Sequence, residues 1–392
     1  MNKLPGAMAL AFSCVACLTA RAQAQEEMET VLVTGEQPGP GLWKVSRDGH
    51  VMWVFGTIFE VPDTIAWRTK ELEARIAESQ EVLYPGWPDV RLDVSVFQAL
   101  TMVPLAFKAA KNPEGAKLKD ALSAEDYARW LRLKQKYLDD DDDIERYRPM
   151  VAEEKLRNAR AKKTSKAFFK GLKFTSVDEV VHKLAKKHDV RIHTLPAVER
   201  KIKVEKPRAI LKAARDQDFA EGECVGRNLE RIEKEDALGP PVFDVASTNA
   251  WAKGDIAGLR ARPAPDPALV PEDCVMASLN AAIERGDADL PKELRRGFDL
   301  FKQQEELQKQ AGAEAERNWV EAAEAALRTH TSTVAVLPMN VVLNPWIYLA
   351  KLKEKGFLVE GPPGSEPATE NAGPSANEGA GVREIERASG SN

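Results

Sequence analysis

The chain has 392 residues, of which 43% are hydrophobic and 30% are charged, so it is long enough for one large domain or two modest ones. Its formal net charge of −5 shows no general excess of basic residues, and we therefore exclude nucleic acid from the expected partners.

The first predicted element is a secretory signal peptide over residues 1–24. Lys3 supplies a positive charge, an apolar run follows it, and the small residues of "AQA" at 22–24 offer a cleavage site. The apolar run is too short to cross a bilayer. We therefore predict a periplasmic or secreted protein with no transmembrane helix in its mature chain, and a disordered or anchoring N-terminus is the alternative. Residues 25–40 are polar, and we expect them to form a flexible leader.

The cysteines divide between the predicted signal peptide and the mature chain. Cys14 and Cys17 fall in the signal peptide, which leaves Cys224 and Cys274 for an oxidising compartment. One disulfide between these two residues would close a loop of about 50 residues. Two buried free thiols are the alternative.

Folded structure is predicted to begin at residue 41. Apolar runs at 42–45 and 51–55 flank "RDGH", and the Asp-Gly step favours a β-hairpin because glycine tolerates a positive φ. The second run is apolar at consecutive positions, which indicates a strand buried on both faces. Beyond it, Ile65, Leu72 and Ile76 follow the spacing of a helix.

The middle of the chain is predicted to be mainly helical. A short strand, "EVLY", precedes it and ends at Pro85. Residues 94–235 then include one long amphipathic helix at 208–234 and a strand at "VRIHTLP". The stretch "TNAWAKGDIAGLRA" is typical of two helices joined by a Gly-Asp turn.

The last folded segment returns to alternating helices and strands. A helix, the buried strand "STVAVLPM", a second helix and the edge strand "FLVEG" follow one another. This order predicts an α/β fold, with a central mixed sheet built from the N- and C-terminal thirds and a largely helical middle insertion, in one domain at 41–360. Residues 361–392 contain almost no large apolar residue, and we expect them to be a disordered tail.

Most of the predicted domain resembles the TraB/GumN family, which is related to the Tiki proteins. The resemblance rests on the order and spacing of five stretches: "LWKVSRDGHVMWVFGTI", "RIAESQEVLY", "SVDEVVHKLAKKHDVRIHTLP", "WAKGDIAGL", and "ERNWVEAAEAALRTHTSTVAVLP" followed by "LAKLKEKGFLVE". The family implies an α/β domain with a metal-dependent hydrolytic site, built from two Gly-x-x-His motifs at strand ends and from acidic residues. Imidazoles and carboxylates suit this chemistry because they hold a divalent cation, and a carboxylate can activate its water.

The chain departs from the family pattern at the residues that would bind the metal. In "GTIF", Gly56 and Thr57 match the first motif, but Phe59 replaces its histidine. The acidic residue expected after the next strand falls at Pro85, and the middle strand "HTLPAV" lacks the family's glutamate. Asn340 stands at the second histidine, in "LPMN", where the motif glycine is also absent. Phenylalanine and proline cannot coordinate a cation and asparagine is a weak ligand, so we predict no metal or other cofactor here.

These substitutions favour a catalytically inactive family member that acts as a binding or accessory protein of the cell envelope. Its expected partner is a small molecule, a glycan or an envelope protein. Several large side chains remain at or near the strand ends, where we expect core filling more often than the lining of a ligand pocket: Phe59, Tyr84, Trp87, Met339 and Trp346.

Two other interpretations stay open. One is a metal-dependent hydrolase or peptidase whose active site is rebuilt from other residues: Glu60, Asp63, Asp89 or Asn340. The other is a structural protein whose disordered tail and helical middle mediate contacts. Metal binding by the histidines at 182 and 188 is not expected, because residues six apart do not share a helix face.

Overall fold

The structure, a computed structural model, describes residues 32–33, 35–138, 141–168, 170–237, 245–261, 270–284 and 290–365. The predicted signal peptide and the tail beyond residue 365 lie outside the described residues. The strands are β1 (Gly35–Gln37), β2 (Leu42–Arg47), β3 (His50–Thr57), β4 (Glu60–Pro62), β5 (Ile65–Trp67), β6 (Glu81–Tyr84), β7 (Pro88–Asp93), β8 (Phe174–Ser176), β9 (Arg191–Thr194), β10 (Val198–Lys203), β11 (Ser332–Pro338) and β12 (Leu358–Glu360). The α-helices are α1 (Lys70–Ala77), α2 (Val96–Ala109), α3 (Leu118–Ala121), α4 (Ala124–Tyr137), α5 (Pro149–Phe168), α6 (Val177–Lys187), α7 (Pro207–Asp216), α8 (Gly222–Ala237), α9 (Val245–Lys253), α10 (Ile256–Arg260), α11 (Cys274–Glu284), α12 (Lys292–Thr329), α13 (Met339–Val342) and α14 (Leu349–Glu354).

A six-stranded mixed sheet forms the centre of the fold, in the order β12-β2-β3-β11-β6-β9. The strands β3, β11, β6 and β9 are parallel, whereas β2 pairs antiparallel with both β3 and β12. Five of the six strands come from the N- and C-terminal thirds, and β9 joins from the helical middle at one edge. The prediction of an α/β fold with a mixed central sheet and a helical middle region is therefore confirmed.

The centre of the sheet shows why its strands are apolar at consecutive positions. The predicted hairpin joins β2 to β3 through Asp48 and Gly49, whose φ angles are 52° and 86°. The neighbouring strand β11 contacts both α1 and α12, and its residues 333–337 are all buried. Strands covered on both faces expose neither side to water, so alternation with polar residues is lost.

The helix predicted around Ile65 starts later than its spacing indicated. Ile65 is buried in β5, which pairs in parallel with β1. The helix α1 begins at Lys70 and buries Leu72 and Ile76 against the core. Strand pairing thus overrides the helical spacing at Ile65, and it gives part of the expected flexible leader a regular structure.

The long helix predicted at 208–234 is two helices, α7 and α8, separated by residues 217–221. In the break, Glu221 is buried, pairs with Arg148 and accepts a hydrogen bond from the backbone N–H of Met150 at 3.1 Å. At the start of α8, a Cβ on Gly222 would lie 2.1 Å from the carbonyl oxygen of Ala121. Tertiary contacts therefore end the first helix where the amphipathic pattern continues.

The helical middle has a hydrophobic core of its own, built largely from α4, α5 and α8. A disulfide joins Cys224, near the start of α8, to Cys274, at the start of α11, with the Cα atoms 5.7 Å apart. The structure therefore has the disulfide rather than two free thiols. In the described part of the chain, no helix has the length and apolar character needed to cross a membrane.

Candidate functional site

The strand ends that carry the family motifs lie side by side in the sheet. The strand β11 is the direct neighbour of both β3 and β6, and its pairing sets Leu337 beside Gly56 and Ala335 beside Leu83. The carboxyl ends of parallel strands meet at one edge of a sheet, which is where open α/β folds bind ligands. Positions far apart in the sequence thus converge on one place.

A cavity of about 670 Å³ opens at this edge. Four of the five positions compared with the family motifs line it: Thr57, Phe59, Pro85 and Asn340. The fifth, Gly56, lies against a lining residue, since a Cβ at this position would be 2.6 Å from the Cε atom of Met339. The glycine of the first motif therefore leaves room for the Met339 side chain.

A buried tryptophan holds the backbone at the end of β3. Trp251 in α9 donates its Nε1–H to the carbonyl oxygen of Gly56 at 2.8 Å. Its ring lies edge-on to those of Phe55 and Trp67, with centroids 6.4 and 5.3 Å away. Trp251 does not line the cavity itself. The tryptophan of the Trp-x-x-Gly-Asp stretch thus fixes the backbone of the first motif without lining the cavity.

Aromatic side chains form the rim of the cavity rather than part of the core. Phe59 is 88% exposed and Trp87 is 44% exposed, and both line the cavity. Trp346 is 66% exposed but does not line it, whereas Met339 is buried in the main core. The expectation of core filling is therefore wrong for these three aromatic residues and correct for Met339. It fails at Phe59 because β3 ends two residues earlier, where the covered faces of the sheet end.

Tyr84, the last residue of β6, lines the cavity and carries a polar atom. Its hydroxyl is buried and has no hydrogen-bond partner among the described residues. Burial, with a smaller contribution from the charge of Asp178, raises the pKa of the phenol above its ordinary value. The hydroxyl therefore stays protonated at neutral pH and can both donate and accept a hydrogen bond.

Asp178, in the first turn of α6, is the only carboxylate among the described residues that line the cavity. The residue is exposed overall, but partial burial of its carboxyl raises the pKa, an effect that the charge of His182 partly offsets. His182, one turn further along α6, meets the Tyr84 ring edge-on, with the centroids 5.4 Å apart. Tyr84 and Asp178 form the polar end of the cavity, and His182 contacts Tyr84 without lining the cavity.

Reasoning from the sequence missed this polar end. An acidic residue in the first turn of a helix needs no functional reason, because it interacts favourably with the helix dipole. The available signal was the four-residue spacing of Asp178 and His182, which places both side chains on one face of α6.

The carboxylates considered for a rebuilt active site lie elsewhere. Asp63 accepts a hydrogen bond from the Thr175 hydroxyl at 2.6 Å, and Asp89 accepts one from the Arg91 Nε at 2.7 Å. Neither they nor Glu60 line the cavity, whereas Asn340 lines it with an exposed side chain. The structure therefore brings one of these four residues to the site.

The side chains at the cavity do not fit the metal site that the family implies. A divalent cation is held by several histidine or carboxylate ligands, and the cavity brings together one carboxylate and one amide. Across the described residues, no group of three or more His, Cys, Asp or Glu side chains could hold a metal ion. His182 faces Tyr84, while the Nε2 of His188 lies 2.9 Å from the Oε1 of Glu73, so these two histidines do not converge.

The sheet and its cavity define an α/β protein with a crevice at the carboxyl edge of its parallel strands. The family model of the TraB/PrgY/gumN family matches residues 41–361, and the chain belongs to this family. No curated protein and no solved structure matches the chain.

Proposed function

We propose that this chain is a metal-free, catalytically inactive TraB/PrgY/gumN-family protein that binds a small organic molecule in the cavity. The observation that carries this proposal is that Tyr84 lines the cavity and has a buried hydroxyl without a hydrogen-bond partner among the described residues. Leaving such a group unsatisfied costs roughly 1–3 kcal/mol. A ligand that hydrogen-bonds to it would offset that cost.

The size and lining of the cavity favour a small molecule over a glycan or an envelope protein. Sites of roughly 300–1,000 Å³ accommodate drug-sized ligands, and this cavity measures about 670 Å³. The exposed rings of Phe59 and Trp87 would cover an apolar body. A hydroxyl on the ligand would accept a hydrogen bond from Tyr84 and donate one to Asp178. We therefore expect an apolar ligand that carries a hydroxyl group.

A location in the cell envelope is supported by the disulfide, because such bonds persist in oxidising compartments. The predicted signal peptide also supports a location in the cell envelope. We therefore propose a periplasmic or secreted accessory protein.

Metal analysis tests the inactive interpretation. The purified chain is dialysed with and without added manganese, cobalt or zinc, and its metal content is measured. We expect well below one ion per chain, and stoichiometric metal would overturn the proposal. The double variant Phe59→His/Asn340→His should also stay metal-free because it lacks an acid at position 85. A triple variant that also carries Pro85→Glu supplies that acid, and its metal content is compared with that of the double variant.

A screen of hydroxyl-bearing apolar compounds by ligand-observed NMR tests binding in the cavity. Asn340→Trp should abolish the hits, because an indole at this exposed rim position fills the cavity mouth. Lys353→Trp is the matched control, since it adds the same side chain at an exposed position of α14 that does not line the cavity. Hits that bind both variants equally well lie outside the cavity and would contradict the proposal.

The second candidate function is a hydrolase with a rebuilt active site. The raised pKa of Asp178 beside Tyr84 favours it, because perturbed pKa values cluster at catalytic sites. Hydrolysis of model ester or peptide substrates by the unmodified chain, and its loss in Asp178→Asn, would support the hydrolase. Hydrolysis that is unchanged in Asp178→Asn would show that Asp178 does not take part in it and would argue against an active site in this cavity.

A further inference from the structure

A helix away from the cavity exposes an unusually apolar face. In α2, none of the residues is buried. Val96 and Phe97 are 77% and 76% exposed, and Leu100 and Phe107 are 65% and 63% exposed. A contiguous exposed apolar patch of this kind marks an interaction surface, because water disfavours it unless something covers it.

Four of the five large apolar residues exposed on α2 line up along one side of the helix. They recur at intervals of three or four residues and so form a stripe, which we call the α2 stripe: Val96, Leu100, Val103 and Phe107. Met102 and Leu105 are half-buried instead, and at about 100° per residue they lie on the side away from the stripe. The helix α7 packs between α2 and α12. The stripe therefore points away from the body of the protein.

Basic residues lie next to α2, on the neighbouring segment that packs against it. The helix contains no acidic residue, and residues 200–215, in β10 and α7, contain seven basic residues and one acidic residue, a net formal charge of +6. This segment stands out in a chain whose net charge is −5. Arg208 at the start of α7 donates a hydrogen bond to the Thr101 carbonyl of α2 at 3.4 Å, so the basic segment directly adjoins the apolar helix.

Most of these cations are available to a partner. Arg200 pairs with Glu314, and Arg215 pairs with Asp216. The other five make no ion pair with a carboxylate of the described residues: Lys201, Lys203, Lys206, Arg208 and Lys212. An unpaired positive field beside an apolar stripe is complementary to a surface that is itself both anionic and apolar.

We propose that α2 docks the protein on a bilayer that contains anionic phospholipids. Amphipathic helices lie in the plane of the interface, with their apolar face among the acyl chains and their basic neighbours at the headgroups. The α2 stripe supplies the apolar face, and the basic segment at 200–215 supplies the charge. The helix lies on the membrane and does not cross it.

The charge and shape of this surface favour lipid over protein. A symmetric dimer through α2 would place the +6 segments of two copies near each other, which is unfavourable. A protein partner would have to offer a groove for the helix, because residues 96–101 are all exposed and the helix projects from the surface. Lipid rearranges around a projecting helix, so a bilayer needs no such preformed groove.

Co-sedimentation with vesicles tests the proposal. The whole chain is mixed with phosphatidylcholine vesicles that contain or lack phosphatidylglycerol. All variants keep the same N-terminus, so any contribution from its apolar run is common to them. We expect binding to the phosphatidylglycerol vesicles, weakened at high salt because the Debye length falls from about 10 Å at 0.1 M to about 3 Å at 1 M.

Two double variants locate the contact. Leu100→Gln/Phe107→Gln removes half of the α2 stripe and should weaken the partition coefficient by about tenfold or more. Leu131→Gln/Leu358→Gln replaces two leucines that are also exposed but lie in α4 and β12, and binding should stay unchanged. Matching denaturation midpoints confirm that both variants fold.

Three results would overturn the proposal. One is the absence of binding to phosphatidylglycerol vesicles at low salt. Another is equal binding by Leu100→Gln/Phe107→Gln and the unmodified chain. The third is a dimer in light scattering that this double variant converts to a monomer, because a second copy would then cover the stripe.

Discussion

Removing one oxygen atom from the cavity wall should change stability and ligand binding in opposite directions. Tyr84→Phe deletes a buried hydroxyl that has no partner among the described residues, and it keeps the ring that packs against His182. An unsatisfied buried hydroxyl costs roughly 1–3 kcal/mol. Because this one lies beside a cavity, we take the lower limit and expect the free energy of unfolding to rise by about 1 kcal/mol.

Denaturation in urea measures this change. The midpoint should rise while the slope stays constant, since the surface exposed on unfolding barely changes. The matching increase in melting temperature is about 1–2 °C for a folded domain of this size. Tyr348→Phe is the matched control for binding, because Tyr348 is buried in the main core and does not line the cavity.

Tyr84→Phe should weaken ligand binding, although it increases the stability of the fold. A compound that binds in the cavity through this hydroxyl should lose about tenfold in affinity, which corresponds to about 1.4 kcal/mol. Tyr348→Phe should leave the affinity unchanged. A variant Tyr84→Phe that is less stable than the unmodified chain would show that the hydroxyl has a native partner, and it would refute the reasoning behind the proposed function.

Three further predictions concern stability. Reducing the disulfide should lower the free energy of unfolding by roughly 3–4 kcal/mol, because its 50-residue loop no longer constrains the unfolded chain; equal midpoints with and without dithiothreitol would contradict this. Hydrogen bonds from Arg227 and Arg231 lower the pKa of Glu272 to about 2, so its carboxylate stabilises the fold above its ordinary pKa near 4.5 and loses this effect as the pH falls towards 2. Glu272→Gln should therefore be less stable than the unmodified chain at pH 7, with the difference shrinking by pH 3, and a constant difference would argue against the two ion pairs. Gly56→Ala should cost about 1 kcal/mol, the lower end for overpacking, because its Cβ would overlap the terminal atoms of the flexible Met339 side chain; a double-mutant cycle with Met339→Ala should remove most of that cost.

The parts of the fold that follow from local patterns could be predicted from the sequence. The Asp48–Gly49 turn has a distinctive dipeptide, and the buried strands are runs of apolar residues. The strands β7 and β10 carry no such signal, because charged residues interrupt them. They form because they pair with each other in parallel, with Val198 beside Pro88. Pairing across so long a separation, like the buried ion pair of Glu221, cannot be read from a local pattern.

The part of the site that could be predicted is the set of positions that the resemblance to the family supplied. The comparison located the strand ends correctly, and four of its five positions line one cavity: Thr57, Phe59, Pro85 and Asn340. It could not supply the polar end, because Tyr84 and Asp178 meet only when α6 packs beside the sheet. Their chemistry depends on burial, which raises both pKa values and which the sequence does not display.

The exposure of Phe59 argues against the idea that it replaced the motif histidine to fill the core. If phenylalanine had replaced the histidine to fill a disused site, its ring should be buried, since burying such a side chain is worth roughly 1.5–3 kcal/mol. Instead Phe59 is 88% exposed and Trp87 is 44% exposed, beside a cavity of about 670 Å³ that no side chain has closed. The buried hydroxyl of Tyr84 adds a second unfavourable feature at the same place. The proposed ligand, an apolar molecule that carries a hydroxyl group, would remove both at once, whereas packing alone accounts for neither.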